Sequence, residues 1–433
     1  MRALDLSYRF DAIVVGSGIA GLTAGIYLQQ QGISTLILER RTVPGGLCGT
    51  FFIDGYEFVT GCNDFGRGLE QSLVALGVKA EFLAPKARFH LGSHAINLPP
   101  TVSTSLKLVR RSPGILSAIR AARRTPQQTV GQLIDAHLQD PLLAAAACIP
   151  IYALMRSPDD VTVGEIQQNF SKELDYGYEK SRTPVGGPRR MIDAMVRRFE
   201  MLGGQLRFGC ASLAVEPDGT DKRVHTSAGT FWARAVLSSQ GRWNHFPSGT
   251  KPGLEAALFL LAVRKSFPYP RRYHTIAWFH AGIAEELRRL DAGLRAHPPS
   301  FHIFRSDLPE QPDHYTINAV IPLPRGERNP STDRRQELCA YILSTIEQSM
   351  PGFRESVIYQ RFLSPAEYED LLGLSSAPSP YVPPAGFGKL SSYDPDTDIY
   401  FLGTSVGPPG EHAGAAAKSG KNAAHMASRR LTN

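Results

Sequence analysis

The chain has 433 residues, which at roughly 100–200 residues per domain fits two or three domains or one large composite. Apolar residues make up 42% and charged residues 20%, proportions that exclude a disordered or collagen-like chain. The net charge of +7 is uneven: no acid lies between Glu81 and Asp135, an interval holding Lys86, Arg88, Lys107, Arg110, Arg111, Arg120, Arg123 and Arg124.

No run of about 18 apolar residues exists, so no transmembrane helix is expected. The opening MRALDLSYRFDAIVVG lacks a charged-then-apolar leader pattern, and a cytoplasmic setting is the expectation. Cys48, Cys62, Cys148, Cys210 and Cys339 are odd in number and widely spaced, without CxxC. That pattern points to reduced thiols rather than a disulfide framework, and no metal-ligand spacing occurs.

Residues 11–16, DAIVVG, form a β-branched run of buried-strand type. Gly16-Ser17-Gly18-Ile19-Ala20-Gly21 completes a GxGxxG. LTAGIYLQQQG then reads as a helix ending at Gly32, and STLILE as a strand closed by Glu39. This strand–turn–helix–strand order is what a dinucleotide fold requires. Gly16 permits the tight turn, Gly18 lets the backbone approach a pyrophosphate, and Gly21 lets the helix pack on the sheet. The helix N-terminus offers N–H groups to phosphates. The Glu39 carboxylate can accept both hydroxyls of an adenosine ribose.

Farther along, FFIDGYEFVTGCNDFG (51–66) alternates at Tyr56 and Phe58, as a hairpin turning at Asp54-Gly55. Pro184-Val185-Gly186-Gly187 precedes a helix to Leu202 with Met191, Ile192, Met195, Val196, Phe199 and Met201 roughly on one face. QLRFGCASLAVEP (205–217) reads as one strand and RAVLSSQG (234–241) as another. Near the C-terminus, Asp398–Ser405 is a buried strand containing Gly403-Thr404. Pro408-Pro409-Gly410-Glu411-His412-Ala413-Gly414 then leads into an alanine-rich helix.

Glu39-Arg40-Arg41-Thr42-Val43-Pro44-Gly45-Gly46, an acid followed six and seven residues later by a glycine pair, resembles the FAD signature of the amine oxidase and phytoene desaturase superfamily. The hairpin ending at Gly61, the P-x-G-G helix, the strand at 234–241 and the C-terminal strand, loop and Ser419-Gly420…Ala423-Ala424 helix resemble the same family in the same order. The phytoene desaturase-type enzymes, with retinol saturase-like and carotenoid isomerase-like proteins, are the nearest branch, and amine oxidases the next. The resemblance implies FAD, with Gly45, Gly46 and Gly61 on its flavin side and Arg40-Arg41 near the adenine–phosphate portion. It also implies contacts from Ser212 beside the adenine, and from Gly403, Thr404, Gly410 and Ala413 at the flavin end. Cys62-Asn63-Asp64 and Glu411-His412 depart from the family pattern where substrate-facing residues are expected.

Other constellations carry two readings. His412 with Glu411 reads as an acid–base pair near the flavin, or as a cap on the C-terminal helix. Asn63-Asp64 reads as substrate-facing, or as a turn. Cys48 invites redox or covalent flavin chemistry, yet a lone cysteine in a glycine loop also serves as a small packed residue. Phe259, Phe267, Tyr269, Tyr273, Trp278, Phe279, Phe301 and Phe304 suit an apolar tunnel and a sheet core equally. The basic segment 86–124, with a Pro113-Gly114 break, fits a membrane surface, an acidic carrier protein, an anionic substrate or a plain solvated face. Nucleic acid is not expected, since no recognition motif accompanies the charge.

The expected fold is α/β: a Rossmann-like FAD-binding domain of the amine oxidase two-dinucleotide-binding type, from 1–80, 181–255 and 380–433. A mixed α+β substrate domain, from 81–180 and 256–379, is inserted into it. The expected function is FAD-dependent oxidoreduction of a small molecule, with hydride transfer between a substrate C–H and flavin N5. Desaturation, saturation or isomerisation of an apolar or pathway-specific substrate leads. Oxidation of an amine or amino-acid-derived compound to an imine, and a flavin-binding subunit without turnover, are the alternatives.

Overall fold

A computed structural model describes residues 8–92, 94–99, 112–270, 272–305, 308 and 313–432. Two large sheets organise them. The first has eight strands, with Arg9–Val15 at its centre between Thr35–Leu38 and Gly229–Ser238, both parallel to it. Gln205–Arg207 extends one side, and Ile399–Phe401 pairs in parallel with the end of Gly229–Ser238. From Ala12 to Val15 and from Thr35 to Leu38 every residue is buried, as strands covered on both faces require. The register Val15↔Leu38 and Val15↔Ser238 aligns the strand ends, so the chain leaves the sheet edge at Gly16.

Three helices cover one face of this sheet. Ile19–Gln30 lies between Gly187–Met201 and Ala413–Thr432, packing Leu22 and Ile26 with Met191, Met195, Phe199, Ala423, Ala424 and Ala427. Small side chains on the C-terminal helix allow close approach; a Cβ at Gly420 would stand 2.1 Å from the Ala20 carbonyl oxygen. On the opposite face, Val224 and Phe231 cover Ile13 and Leu36.

Sequence reading makes 205–217 one strand, but the structure divides it into Gln205–Arg207 and Ser212–Asp218. The chain bends between them because the Gly209 and Cys210 N–H groups donate to the Arg41 and Glu39 carbonyls, at 3.0 and 2.8 Å. Gly209, at φ +63°, takes the bend.

The second sheet has seven strands, in the order Val357–Leu363, Ala256–Arg264, His314–Pro322, Phe301–Arg305, Tyr273–Phe279, Lys86–Leu91 and His94–Leu98. Phe259, Phe267, Tyr269, Tyr273, Trp278 and Phe301 form a core with Leu338, Ile342 and Ile346 of the helix Thr332–Ser349. The sheet-core reading therefore holds for them. Phe279 packs under helices between 112 and 169, while Phe304 faces the hairpin residues Phe51 and Phe58.

The hairpin Thr50–Ile53 and Tyr56–Val59 joins the two halves. Asp54 and Gly55, at φ +51° and +86°, form its turn as the sequence indicates. The second sheet, with helix Pro365–Leu372, grips the returning end of the hairpin through side chains. Thr316 Oγ1 donates to the Glu57 carbonyl at 2.8 Å, Asn318 Nδ2 to Val59 at 2.9 Å, and Tyr368 Oη to Thr60 at 2.9 Å.

Helix Ser112–Arg124 runs through Pro113-Gly114 rather than breaking there, because proline is tolerated in a helix's first turn. Its Leu116, Ile119, Arg120, Arg123 and Arg124 are exposed, while Ala118 is buried. Lys107, Arg110 and Arg111 lie outside the described residues. Among the described residues, no helix is long and apolar enough to cross a membrane.

Candidate active site

The site is assembled from the ends of several elements. Gly16 sits at φ +99°, and a Cβ on Gly21 would lie 1.9 Å from the Gly16 carbonyl oxygen. Only glycine lets the helix begin this close to the strand. A Cβ on Gly18 would meet nothing within 4 Å, so this position faces open space. The helix begins at Gly18 without a side-chain cap, and the N–H groups of its buried first turn, from Ile19 and Ala20, point that way. Gly45-Gly46 closes the other side: the Gly45 N–H donates to the Ser17 carbonyl at 3.0 Å. A Cβ on Gly46 would stand 3.5 Å from Gly18 Cα. Gly61 follows, with Cys62 N–H donating to the Leu47 carbonyl at 2.7 Å.

Glu39 is buried at its strand end. Its Oε2 accepts from the Ser17 N–H at 2.9 Å and from Ser17 Oγ at 2.7 Å; its Oε1 accepts from the Arg41 N–H at 2.9 Å. Oε1 keeps a lone pair for a hydroxyl donor, and rotation of the Ser17 hydroxyl releases another on Oε2. The two arginines diverge. Arg40 is exposed, with its guanidinium beside Gly373. Arg41 turns inward, and its Nη1 is buried without a hydrogen-bond partner. Burial pulls its pKa down, and the nearby Glu39 carboxylate offsets only part of this. Ser212 stands where the strand resumes after Cys210, and its carbonyl accepts from the Gln240 amide at 3.3 Å. A glycine-walled gap, an uncapped helix N-terminus, an orphaned guanidinium and a buried ribose-type carboxylate fit a dinucleotide such as FAD.

At the far end, the loop before helix Ala413–Thr432 is tied back to the sheet. Gly403, at φ +98°, donates its N–H to Ser419 Oγ at 2.8 Å, and Lys389 Nζ donates to the Thr404 carbonyl at 2.7 Å. Lys389 also forms an ion pair with Glu411. The structure therefore does not pair Glu411 with His412. Instead, His412 Nδ1 accepts from the Ala415 N–H at 3.1 Å and caps the helix, next to buried Ala413. His412 Nε2 lies 3.3 Å from Asn169 Oδ1, which assigns the proton to Nε2. The ring meets Tyr176 and Tyr178 edge-on, with centroids at 4.4 and 4.6 Å. Burial, with the Lys389 charge behind it, pushes its pKa down to about 3. Gly410 is required beside it, since a Cβ there would stand 2.6 Å from His412 Nε2.

Asp64 belongs to the same cluster. The segment carrying it is stitched to 176–182 by Phe65↔Arg182 pairing, by the Gly68 N–H on the Tyr176 carbonyl at 3.0 Å, and by Ser181 Oγ donating to Asp64. Asp64 is exposed to solvent, yet enough protein surrounds its carboxyl to desolvate it. Burial raises its carboxyl to about 6, against hydrogen bonds from Ser181 and the Phe65 backbone. Burial also raises the Tyr176 and Tyr178 phenols. Asn63 is buried beside it, with its carbonyl facing His274 of the seven-stranded sheet; desolvation pushes that imidazole down to about 4.

Sequence reasoning missed Asn169, Tyr176, Tyr178, Ser181 and Lys389. Tyr176-Gly177-Tyr178, an aromatic pair about a glycine just before the P-x-G-G helix, was the available signal. Lys389 has none, because its partners lie 15 and 22 residues away in a loop.

Comparisons with known proteins agree with this geometry. Over 101 residues the chain is 38% identical to prolycopene isomerase, chloroplastic, of Daucus carota, a match covering 21% of this chain and 16% of that protein. Phytoene desaturase (lycopene-forming) of Pseudescherichia vulneris is 22% identical over 96% of this chain and 98% of its own length. Among solved structures, putrescine oxidase bound to putrescine superposes with a TM-score of 0.66 at 16% identity, over 96% of this chain and 98% of that one. The chain spans only a small part of the isomerase, and at such low identity the structural likeness bears on fold alone. The family model of FAD dependent oxidoreductases (DAO) matches residues 11–362, well over half of the chain, and this protein belongs to that family, with FAD as its cofactor.

Proposed function

We propose that this oxidoreductase exchanges a hydride with a C–H bond of a neutral, apolar substrate, in a desaturation, saturation or isomerisation. The observation that carries this reading is the state of the ionisable groups around the first turn of helix Ala413–Thr432. His412 is neutral, Tyr176 and Tyr178 stay protonated, and Glu411 is spent on Lys389. Apart from the Asp64 carboxyl, this edge of the site carries no unpaired charge, which suits an apolar substrate better than an ammonium ion. The full-length likeness to a phytoene desaturase supports the same choice.

Bound FAD supplies the hydride acceptor or donor at its flavin ring. Gly16–Gly21, Gly45, Gly46, Glu39 and Arg41 would hold its pyrophosphate and ribose. Gly61, Gly403, Thr404 and the start of the C-terminal helix would border its flavin end. Asp64 is the group poised to move a proton. Its carboxyl is raised to about 6, and Ser181 fixes its orientation. His412 would position the helix start and exclude water. In this reading, segments 1–80, 181–255 and 380–433 form the FAD-binding domain, and 81–180 with 256–379 the substrate domain.

The test is an anaerobic visible spectrum of the flavoprotein during titration with polyenes and, separately, with cyclic and aliphatic amines. Bleaching of the flavin by a polyene alone is the expected result. Bleaching by an amine alone replaces this reading with imine-forming oxidation.

A further inference from the structure

The loop that carries the glycine pair also carries a thiol that tertiary structure brings to a second one. Cys48 closes the short turn Gly46–Cys48, and Cys62 follows Gly61 just beyond the returning strand Tyr56–Val59. The Cys62 N–H on the Leu47 carbonyl, at 2.7 Å, and the Thr60 N–H on Gly49, at 2.9 Å, hold the two segments side by side. Both side chains enter the same apolar cluster, where the two thiols are near neighbours. Cys48 is buried, whereas Cys62 is partly accessible.

We propose that Cys62 and Cys48 form a peroxide-sensitive dithiol, in which Cys62 is the attacking sulfur and Cys48 the resolving one. Accessibility sets the order of the two sulfurs: peroxide reaches Cys62, whereas Cys48 is buried, and their proximity shifts the Cys62 thiol down and the Cys48 thiol up. The Cys62 thiolate attacks one oxygen of hydrogen peroxide, the O–O bond breaks, and hydroxide leaves to become water on protonation. The resulting Cys62 sulfenic acid is attacked by Cys48 sulfur; the S–O bond breaks, the S–S bond forms, and a second water leaves. Two thiols are oxidised to one disulfide, and one peroxide is reduced to two waters. The disulfide ties the Gly45–Gly49 loop to the segment leading into Asp64, so oxidation stiffens the wall that joins the glycine turn to Asp64. None of this depends on the substrate assigned above.

The experiment uses the flavin-loaded protein and hydrogen peroxide at pH 7. After quenching, the chain is denatured, treated with N-ethylmaleimide and cut with trypsin. Residues 42–67 form one tryptic peptide, ending at Arg67 and carrying both cysteines. The expected product is that peptide without maleimide, lighter by two hydrogens, and restored by dithiothreitol. Its formation should outpace oxidation of Cys339 by about tenfold or more, as the lowered Cys62 pKa requires. In Cys48→Ala the reaction should stop at a Cys62 sulfenic acid that dimedone traps, and in Cys62→Ala Cys48 should stay reduced. Maleimide on both cysteines of the wild-type peptide after peroxide has oxidised Cys339, or sulfinic acid at Cys62 without the cross-link, would overturn the proposal. The wild-type measurement decides the matter even if a variant fails to fold.

Discussion

A single carboxylate oxygen of Glu39 accepts both the backbone N–H and the hydroxyl of Ser17, 22 residues earlier in the chain. The two bonds join the end of the second strand to the middle of the glycine turn, so one buried acid shapes the turn while its other oxygen keeps a lone pair beyond the Arg41 N–H. Replacing Glu39 by Ala should weaken FAD binding by about tenfold or more, since hydrogen bonds to a charged group are worth about 1.5–3 kcal/mol each. Titration of apoprotein with FAD, followed by flavin fluorescence quenching, measures it. Stoichiometric flavin retained at unchanged affinity would remove Glu39 from the site.

Gly18 and Gly21 should separate binding from folding. A methyl at Gly18 meets open space, so Gly18→Ala should keep native stability while losing flavin. A methyl at Gly21 collides with the Gly16 carbonyl, so Gly21→Ala should lose about 3 kcal/mol or more of stability. Urea unfolding alongside flavin content distinguishes the two outcomes.

The raised carboxyl of Asp64 sets a pH expectation. With its value near 6, the carboxylate that can take a proton predominates only above that pH. The rate of flavin bleaching by a desaturated-bond-forming substrate should therefore rise through about pH 6 and level off. Asp64→Asn should erase that rise and slow bleaching by about 10²–10⁴-fold. A wild-type profile flat from pH 5 to 8, on a scale of about one pKa unit, would assign the proton step elsewhere.

His412 predicts a trend in stability. Its pKa is depressed, to about 3 from the usual 6.5, so the unfolded chain binds the proton first as pH falls. Stability should drop as pH decreases from about 6.5 toward about 3, and His412→Gln should remove this contribution. Denaturant midpoints of both proteins across that window provide the check. A parallel pH dependence in the two would show that His412 is not desolvated.

The grip on the hairpin strand gives a further prediction. Asn318→Leu keeps volume but leaves the buried Val59 carbonyl without its donor, at a cost of about 1–3 kcal/mol. Chemical denaturation should read that loss, and a neutral effect would mean that water or a shifted side chain replaces the amide.

Much of the dinucleotide half was legible because its signals are local. Periodicity marks the strand Arg9–Val15 and the helix after it, and Asp54-Gly55 marks a turn whose two positive φ angles suit those residues. The aromatic run between 259 and 304 was ambiguous, since a wall and a core have the same composition. Helix Thr332–Ser349 settled it by covering one face of the sheet. The reading of Glu411 with His412 failed for a related reason. Adjacent residues on a loop share no necessary direction, and here Lys389 draws one away while Ala415 and Asn169 hold the other.

By itself the sequence determined the cofactor fold's opening unit and the order of its later pieces, because glycine spacing, β-branched runs and turn residues act over a few residues of backbone. Only the tertiary structure decided who faces whom around the start of the C-terminal helix: Asp64 with Ser181, and His412 with Tyr176 and Tyr178. Those contacts join segments far apart in the chain, and they exist because the seven-stranded sheet clamps the hairpin while the C-terminal helix docks on the first. Neither packing event leaves a periodic trace in the residues it brings together.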